Sequence, residues 1–163
     1  MYLLDANTYI QAKNLHYHMS FCPAYWDWLD QQYQQGSIAS ISSVYNELVT
    51  QKDDLSIWVK TKKDHFQAVS AEETQLKFAE VAQYVADLPN KNPENIAAFL
   101  SGADPWLIAQ AAVTNAVIVT HEVPVPYESK KVKIPNIGRY FGVTCINTFD
   151  LLRTLDARFT LDN

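Results

Sequence analysis

Three acidic side chains lie at or just beyond the ends of apolar segments that are predicted to form short strands. Asp5 comes directly after Tyr2–Leu4, and Glu122 follows Val117–Val119. Glu47 lies in the opening turns of the helix predicted after another strand-like segment. Because the carboxyl ends of parallel strands form one rim of a sheet, we expect these three carboxylates to converge there.

A fourth acid, Asp104, precedes Pro105 at the start of a predicted helix that leads into the strand before Glu122. It therefore falls on the same rim. Carboxylates brought together in this way raise one another's pKa, and desolvation adds to the energetic cost. Mg²⁺ or Mn²⁺ would offset the charge, since both ions take oxygen ligands, and such ions can activate water for phosphodiester hydrolysis. The pattern predicts metal-assisted phosphoryl chemistry, with all four acids as catalytic and metal-ligating residues.

Five further residues are candidates for substrate contacts. Asn7 could orient Asp5 or a metal-bound water, although an Asx turn is an equally good interpretation. Thr120 could donate to a scissile phosphate or to a ligand carboxylate, and a threonine at a strand end requires neither role. The loop after Glu122 carries three lysines that could guide nucleic-acid phosphates or simply form a solvated charge run: Lys130, Lys131 and Lys133.

Each acid also has an ordinary structural interpretation. Asp5 could cap a helix or stabilise a turn, and Glu47 could be a solvated helix glutamate. Asp104 followed by proline is a favoured N-cap pair, and one of its oxygens could cap while the other binds metal. Glu122 could bind a metal directly or support another ligand. The residues alone leave these alternatives open.

Strands alternate with helices along the chain, which predicts an α/β fold around a parallel sheet. Thr8 and Gln11 have the capping-box spacing of a helix that begins at this point. Residues 53–66 suggest an amphipathic helix. The chain of 163 residues shows no repeat or linker, so a single domain spanning residues 1–163 is expected. About four strands are predicted, at residues 2–4, 37–41, 117–119 and 143–146.

Composition narrows the class of protein. The net charge of −5 argues against a protein that coats nucleic acid through a basic face. No window approaches eighteen apolar residues, so no membrane span is expected, and no secretory signal follows Met1. Cys22 and Cys145 lack a metal-ligand spacing. A reducing cytoplasm is the expected location.

The residues that form the acidic pattern also resemble a known family, and the resemblance covers essentially the whole chain. Two segments resemble a functionally unassigned bacterial PIN-like branch: Asp5–Lys13 and Lys133–Asn136. Four segments resemble the motifs of PIN domains: Leu3–Thr8 the opening D-x-[NST], Ser43–Leu48 the helix bearing the second acid, Ala103–Ala109 the D-x-x-[IL]-A element, and Val119–Glu122 the T-x-D that follows a strand.

The resemblance implies a three-layer αβα sandwich, a Mg²⁺ or Mn²⁺ site, and endoribonuclease activity that leaves a 5′-phosphate and a 3′-hydroxyl. Many small bacterial members, such as the VapC group, are toxins held inactive by an antitoxin protein, so a cognate antitoxin is an expected partner. A homodimer is suggested by the aromatic helix around Trp26 and Trp28. Glu122 departs from the family's usual aspartate, and Val123–Pro126 replaces its usual acidic continuation. Both departures put a second metal position in doubt.

Two other functions are compatible with parts of the pattern. A haloacid-dehalogenase-like phosphatase also opens with an acid after its first strand, but that chemistry requires a second aspartate where this chain has Asn7. A partner-binding module that keeps the fold without efficient metal chemistry is favoured by Glu122 and by the missing acid after it. Metal titration would separate such a module from an enzyme.

Overall fold

A computed structural model of the chain, which describes residues 1–160, contains one sheet of five parallel strands in the order β3-β2-β1-β4-β5. This confirms the predicted parallel α/β sheet, with one strand more than expected. The extra strand, β3, has only two residues, and it begins at Phe66, the last residue of the segment predicted as an amphipathic helix. The strands are β1 (Tyr2–Leu4), β2 (Ile38–Ile41), β3 (Phe66–Gln67), β4 (Val117–Val119) and β5 (Cys145–Ile146).

Nine α-helices among residues 1–160 surround the sheet. Helices α1, α3 and α4 contact one another, as do α5, α6 and α7, and α8 packs on α7. The strand order reverses at β1, so the connections before β3 and those after it run across the sheet in opposite directions. Because such crossovers are right-handed, the two groups of helices cover opposite faces of the sheet, which gives the expected three layers. The helices are α1 (Ala6–Asn14), α2 (Pro23–Gln34), α3 (Ser42–Val49), α4 (Asp54–Thr61), α5 (Glu72–Ala86), α6 (Pro93–Ser101), α7 (Asp104–Thr114), α8 (Ile134–Tyr140) and α9 (Thr148–Thr154).

The central strands are buried on both faces, as expected for a parallel sheet covered by helices. Leu3, Leu4, Ile118 and Val119 are all inaccessible to solvent. Because successive side chains of a strand point to opposite faces, both helical layers pack against apolar residues. The sheet is thus held rigidly beneath the residues that follow each strand.

The first helix begins earlier than the capping pattern suggests. Helix α1 starts at Ala6, directly after Asp5, so the predicted capping box of Thr8 and Gln11 is wrong. The Thr8 hydroxyl donates instead to the carbonyl oxygen of Val119, at 2.9 Å, and Thr8 is fully buried. This bond ties α1 to β4 and fixes the backbone on which Asp5 stands.

Trp26 and Trp28, on α2, are buried among aromatic side chains. The Trp26 indole N–H donates to the Tyr17 carbonyl at 2.7 Å, and the Trp26 ring meets Trp58 edge-on. Both tryptophans therefore pack inside the chain, and the homodimer suggested by them stays a prediction.

No single helix among residues 1–160 is long and apolar enough to cross a membrane. Only α6 and α7 taken together reach the required length and composition, and they are bent by 61° where they meet. Much of α7 is buried in the core of the domain.

Candidate active site

The site is centred where β1 lies beside β4, which is the point where the strand order reverses. Strand β1 is followed in the chain by its neighbour β2, whereas β4 lies on its other side. Ligands of open α/β sheets bind in the crevice outside such a switch point. Leu4 pairs with Val119, so Asp5 and Thr120 leave the sheet side by side. The Thr120 hydroxyl donates to Asp5 Oδ2 at 2.9 Å.

Asp5 is a buried acid with an elevated pKa. Its exposed fraction is only 2%, and burial raises its pKa to about 6, with a further increase from the charge of Glu122. The Thr120 hydroxyl and the backbone N–H groups of Ala6 and Asn7 lower the pKa in part. The Asn7 side chain itself is exposed. Asp5 therefore sits where a nearby cation would strongly favour its ionised form.

Asp104 is the most strongly perturbed acid of the rim. Burial, followed by the charges of Asp5, Glu122 and Glu47, raises its pKa to about 8. The N-cap of α7 is Ala103 and not Asp104, and the Asp104 carboxylate accepts no hydrogen bond within residues 1–160. The capping alternative for Asp104 is therefore wrong. The charges of the other three predicted acids therefore all act on Asp104 at this rim.

Glu47 reaches the rim from α3 across the junction of α6 and α7. Its Oε1 accepts a 2.7 Å hydrogen bond from the backbone N–H of Ala103. Gly102 permits this approach, because a Cβ at that position would lie 3.3 Å from the same oxygen. The contact places Glu47 next to the start of α7, where Asp104 stands.

Glu122 is occupied by groups of the chain itself. Its Oε1 accepts from the Lys133 ammonium at 2.5 Å, and its Oε2 accepts from the backbone N–H of Ile134 at 2.8 Å. The Glu122 backbone N–H donates in turn to the Thr120 hydroxyl at 3.1 Å. Thr120 thus links Asp5 to the Glu122 backbone, while the Glu122 carboxylate is turned toward the start of α8.

The three predicted phosphate-binding lysines differ in their surroundings. The Lys130 side chain is exposed, while its carbonyl accepts from Asn95 Nδ2 at 2.8 Å. Lys131 is exposed, and it lines a cavity of about 360 Å³ together with Lys133 and Asp104. Lys133 is paired with Glu122 and does not stand free in solvent. The loop therefore brings lysines to the edge of the acidic rim.

The oxygen donors suit one divalent cation better than two. No three His, Cys, Asp or Glu side chains among residues 1–160 form a ready-made metal cluster. Mg²⁺ commonly takes only one or two carboxylates and keeps several waters, however. Asp5 and Asp104 have spare acceptor oxygens and elevated pKa values, so they fit such an ion. Glu122 fits it less well, because both of its carboxylate oxygens already accept N–H donors.

A second cavity beside Glu122 was missed by the sequence analysis. It encloses about 580 Å³, and its walls include Thr120, His121, Arg139 and Asn147. His121 is half-buried, its Nε2 lies 2.9 Å from the Thr148 hydroxyl, and burial lowers its pKa. These residues come from separate segments that meet only because β5 lies beside β4, and no spacing in the chain reveals this.

Comparisons with known proteins agree with this architecture. The crystal structure of VapBC2 from Rickettsia felis bound to a DNA fragment from their promoter contains a chain that is similar to this one at a TM-score of 0.53 and 18% identity. The match covers 90% of this chain and 97% of that chain, and it supports the PIN-like sandwich at the level of the fold. No curated protein sequence gives a significant match. A family model described as a domain of unknown function, DUF4411, matches residues 2–159. The chain belongs to the DUF4411 family.

Proposed function

We propose that this chain is a Mg²⁺- or Mn²⁺-dependent endoribonuclease that hydrolyses RNA phosphodiester bonds. The observation that carries the proposal is the pair of acids at the switch point of the sheet. Asp5 is buried and Asp104 is partly buried, and their pKa values are raised to about 6 and about 8. Perturbed carboxylates in a crevice are typical of functional sites. The family resemblance described above supports RNA as the substrate.

Asp5 and Asp104 would hold the cation, with Glu47 as the neighbouring ligand from α3. When bound, such an ion supplies Lewis-acid charge and lowers the pKa of a water. The Thr120 hydroxyl fixes the orientation of Asp5, and the Ala103 N–H fixes that of Glu47. Without a cation, Asp104 would hold a proton near neutral pH, because burial and the surrounding acids raise its pKa to about 8.

RNA binding in this proposal uses the lysines and the cavities beside the acids. Lys130 and Lys131 would attract phosphates from the loop before α8. The cavity of about 580 Å³ next to Glu122 is large enough for a nucleotide that flanks the cleaved bond. Asn7 is exposed at the start of α1, where its amide could contact the phosphate backbone.

The biological role that we attach to this activity is that of a toxin with a cognate antitoxin. The similar solved structure is a VapBC2 complex, and the resemblance of the motifs to VapC-group toxins points the same way. An antitoxin would cover the rim and keep it from RNA, and a homodimer would be compatible with that arrangement. Cys22 and Cys145 are free thiols, which fits the cytoplasm as the proposed site of action.

The substitution Asp5→Asn tests the proposal. It removes one charge from the cation site while the side chain can still accept from Thr120. We expect Mn²⁺-dependent cleavage of RNA to fall by about a hundredfold or more, since ligand and electrostatic groups contribute that much. Gel analysis of a labelled RNA, with and without a chelator, gives the measurement. Asp30→Asn is the matched control, because Asp30 is ion-paired with Lys62 at 2.8 Å, away from the rim.

Expression in bacteria extends the same comparison to the toxin role. Wild-type protein should slow growth, and Asp5→Asn should not. Equal growth rates would contradict the toxin role, and equal cleavage rates in vitro would contradict the assigned site.

One observation favours a second function, a partner-binding module without catalysis. Both carboxylate oxygens of Glu122 accept hydrogen bonds from Lys133 and Ile134, which leaves this acid poorly suited to a metal ion. Calorimetric titration discriminates, because a module of this kind would take up no Mn²⁺ at millimolar concentration, whereas the enzyme would.

A further inference from the structure

The ion pair between Lys133 and Glu122 belongs to the acidic rim and is partly withdrawn from solvent. The two side chains are 29% and 15% exposed, and the Lys133 ammonium lies 2.5 Å from Glu122 Oε1. The other oxygen, Oε2, accepts from the Ile134 N–H at 2.8 Å. Every carboxylate oxygen of Glu122 therefore has a donor from the segment Lys133–Ile134.

The Lys133 side chain lies near a second acid of the rim, Asp104. Lys133 and Asp104 also line the same cavity of about 360 Å³. The ammonium group paired with Glu122 thus shares a cavity with the Asp104 side chain.

Sites that use two metal ions place a second divalent cation close to the first, and the two charges stabilise the attacking and leaving oxygens. The resemblance to PIN domains implies that the fourth acid helps to hold that second ion. In this chain the fourth acid, Glu122, is paired with Lys133. An ammonium group is a compact charge with three N–H donors, so one donor can bind Glu122 while the others remain for phosphate oxygens.

We propose that Lys133 takes the place of the second divalent cation, so that the chain binds one ion at Asp5 and Asp104 and supplies the other positive charge itself. This inference rests on the proposed function. It gives Glu122 the role of positioning Lys133 and not that of a metal ligand. It also gives a physical reason for the departure from aspartate, because the longer glutamate side chain reaches the Lys133–Ile134 segment.

The test counts bound Mn²⁺ ions by titration calorimetry and by the loss of the free Mn²⁺ signal in electron paramagnetic resonance. Wild-type protein and Lys133→Arg should each bind one ion. Lys133→Met keeps the length of the side chain but removes its charge, which frees Glu122, and this variant should bind two ions. The double variant Lys133→Met/Glu122→Gln should return to one ion. Lys77→Met is the matched control, because Lys77 forms a 2.5 Å ion pair with Glu80 on α5, away from the rim.

RNA cleavage gives an independent readout. We expect Lys133→Met to lose about tenfold to a hundredfold in rate at low Mn²⁺ concentration, and to recover part of it at high Mn²⁺ concentration as a second ion enters. Lys133→Arg should retain most of the rate.

Two results would overturn the inference while leaving the proposed function intact. One is a wild-type protein that binds two Mn²⁺ ions, and the other is a Lys133→Met variant that still binds only one. A wild-type protein that binds no Mn²⁺ would overturn both the inference and the proposed function.

Discussion

At the scale of single residues, Asp104 combines two properties that oppose each other. Its carboxylate accepts no hydrogen bond within residues 1–160, yet it stands within reach of the charges of Asp5, Glu47 and Glu122. An ionised group in such a place destabilises the folded state unless a cation compensates for it. The position therefore favours metal binding over unaided stability, as functional sites often do.

This property predicts an unusual dependence of stability on pH. The folded pKa of Asp104, about 8, lies above the unfolded value of 3.8, so the folded state binds more protons between these values. The stabilisation is complete below about pH 4 and is lost as the pH rises toward 8. In chelator at pH 8, the free energy of unfolding of Asp104→Asn should exceed that of wild type by at least about 1 kcal/mol, which corresponds to about 2–4 °C in Tm. Thermal unfolding at several pH values measures the difference.

Added Mn²⁺ should reduce the difference in Tm between wild type and Asp104→Asn, because it should stabilise only the wild type. Asp53→Asn provides a control of opposite sign, because the Lys13 ammonium and the Ser56 N–H hold the pKa of Asp53 below its usual value. That variant should be less stable than wild type at neutral pH and should approach it in acid. Parallel Tm curves for wild type and Asp104→Asn would contradict the assignment.

At the scale of secondary-structure elements, the contact between Glu47 and Ala103 joins α3 to the start of α7. The two helices lie on opposite faces of the sheet, and one hydrogen bond of 2.7 Å joins the Glu47 carboxylate to the residue before Asp104. Gly102 leaves the room that the Glu47 carboxylate needs.

The substitution Gly102→Ala tests this arrangement without disturbing the backbone. Gly102 has φ −92° and ψ −169°, which alanine adopts readily. The added Cβ would lie 3.3 Å from Glu47 Oε1, so that carboxylate must shift by a few tenths of an ångström. We expect a Tm close to wild type and Mn²⁺ affinity reduced by about tenfold, as when groups that orient metal ligands are changed.

Gly138→Ala is the matched control for this experiment. The nearest atoms to its new Cβ are Cys145 Sγ and the Val143 carbonyl oxygen, both at 3.5 Å, which are ordinary contacts, and Glu47 is not among its neighbours. Its Mn²⁺ affinity should equal that of wild type. If Gly102→Ala also binds Mn²⁺ like wild type while Glu47→Gln does not, then the position of Glu47 is not set by this contact.

The element scale also shows what the sequence could predict and why. The positions of acids after predicted strand ends indicated where they would converge, because all the strands are parallel and their carboxyl ends lie along one rim of the sheet. The start of α1 was misplaced because Thr8 has a capping spacing but donates its hydroxyl to β4. The pairing of Lys133 with Glu122 joins residues separated by a proline-containing loop, and loop conformation leaves no periodic signal.

At the scale of the whole molecule, the negative charge of the protein disfavours the binding of RNA, the proposed substrate. The chain carries a net charge of −5, and four acids meet at the rim that RNA would have to approach. Local lysines reduce this repulsion but do not reverse the overall sign. Bound cations are often the largest local charges in such a site and can invert its potential. The cation should therefore control RNA binding as well as cleavage.

We predict that RNA binds at least about tenfold more tightly in Mg²⁺ than in chelator at equal ionic strength, because electrostatic contacts dominate such affinities. Fluorescence anisotropy measures binding, and a gel of the same samples reports intact RNA. The double variant Asp5→Asn/Asp104→Asn, whose formal net charge is −3, should bind RNA at least as tightly as wild type in chelator and should gain little from Mg²⁺. Equal wild-type affinities in the two buffers would show that RNA binds away from the rim, because a ligand held by the cation cannot bind equally well without it.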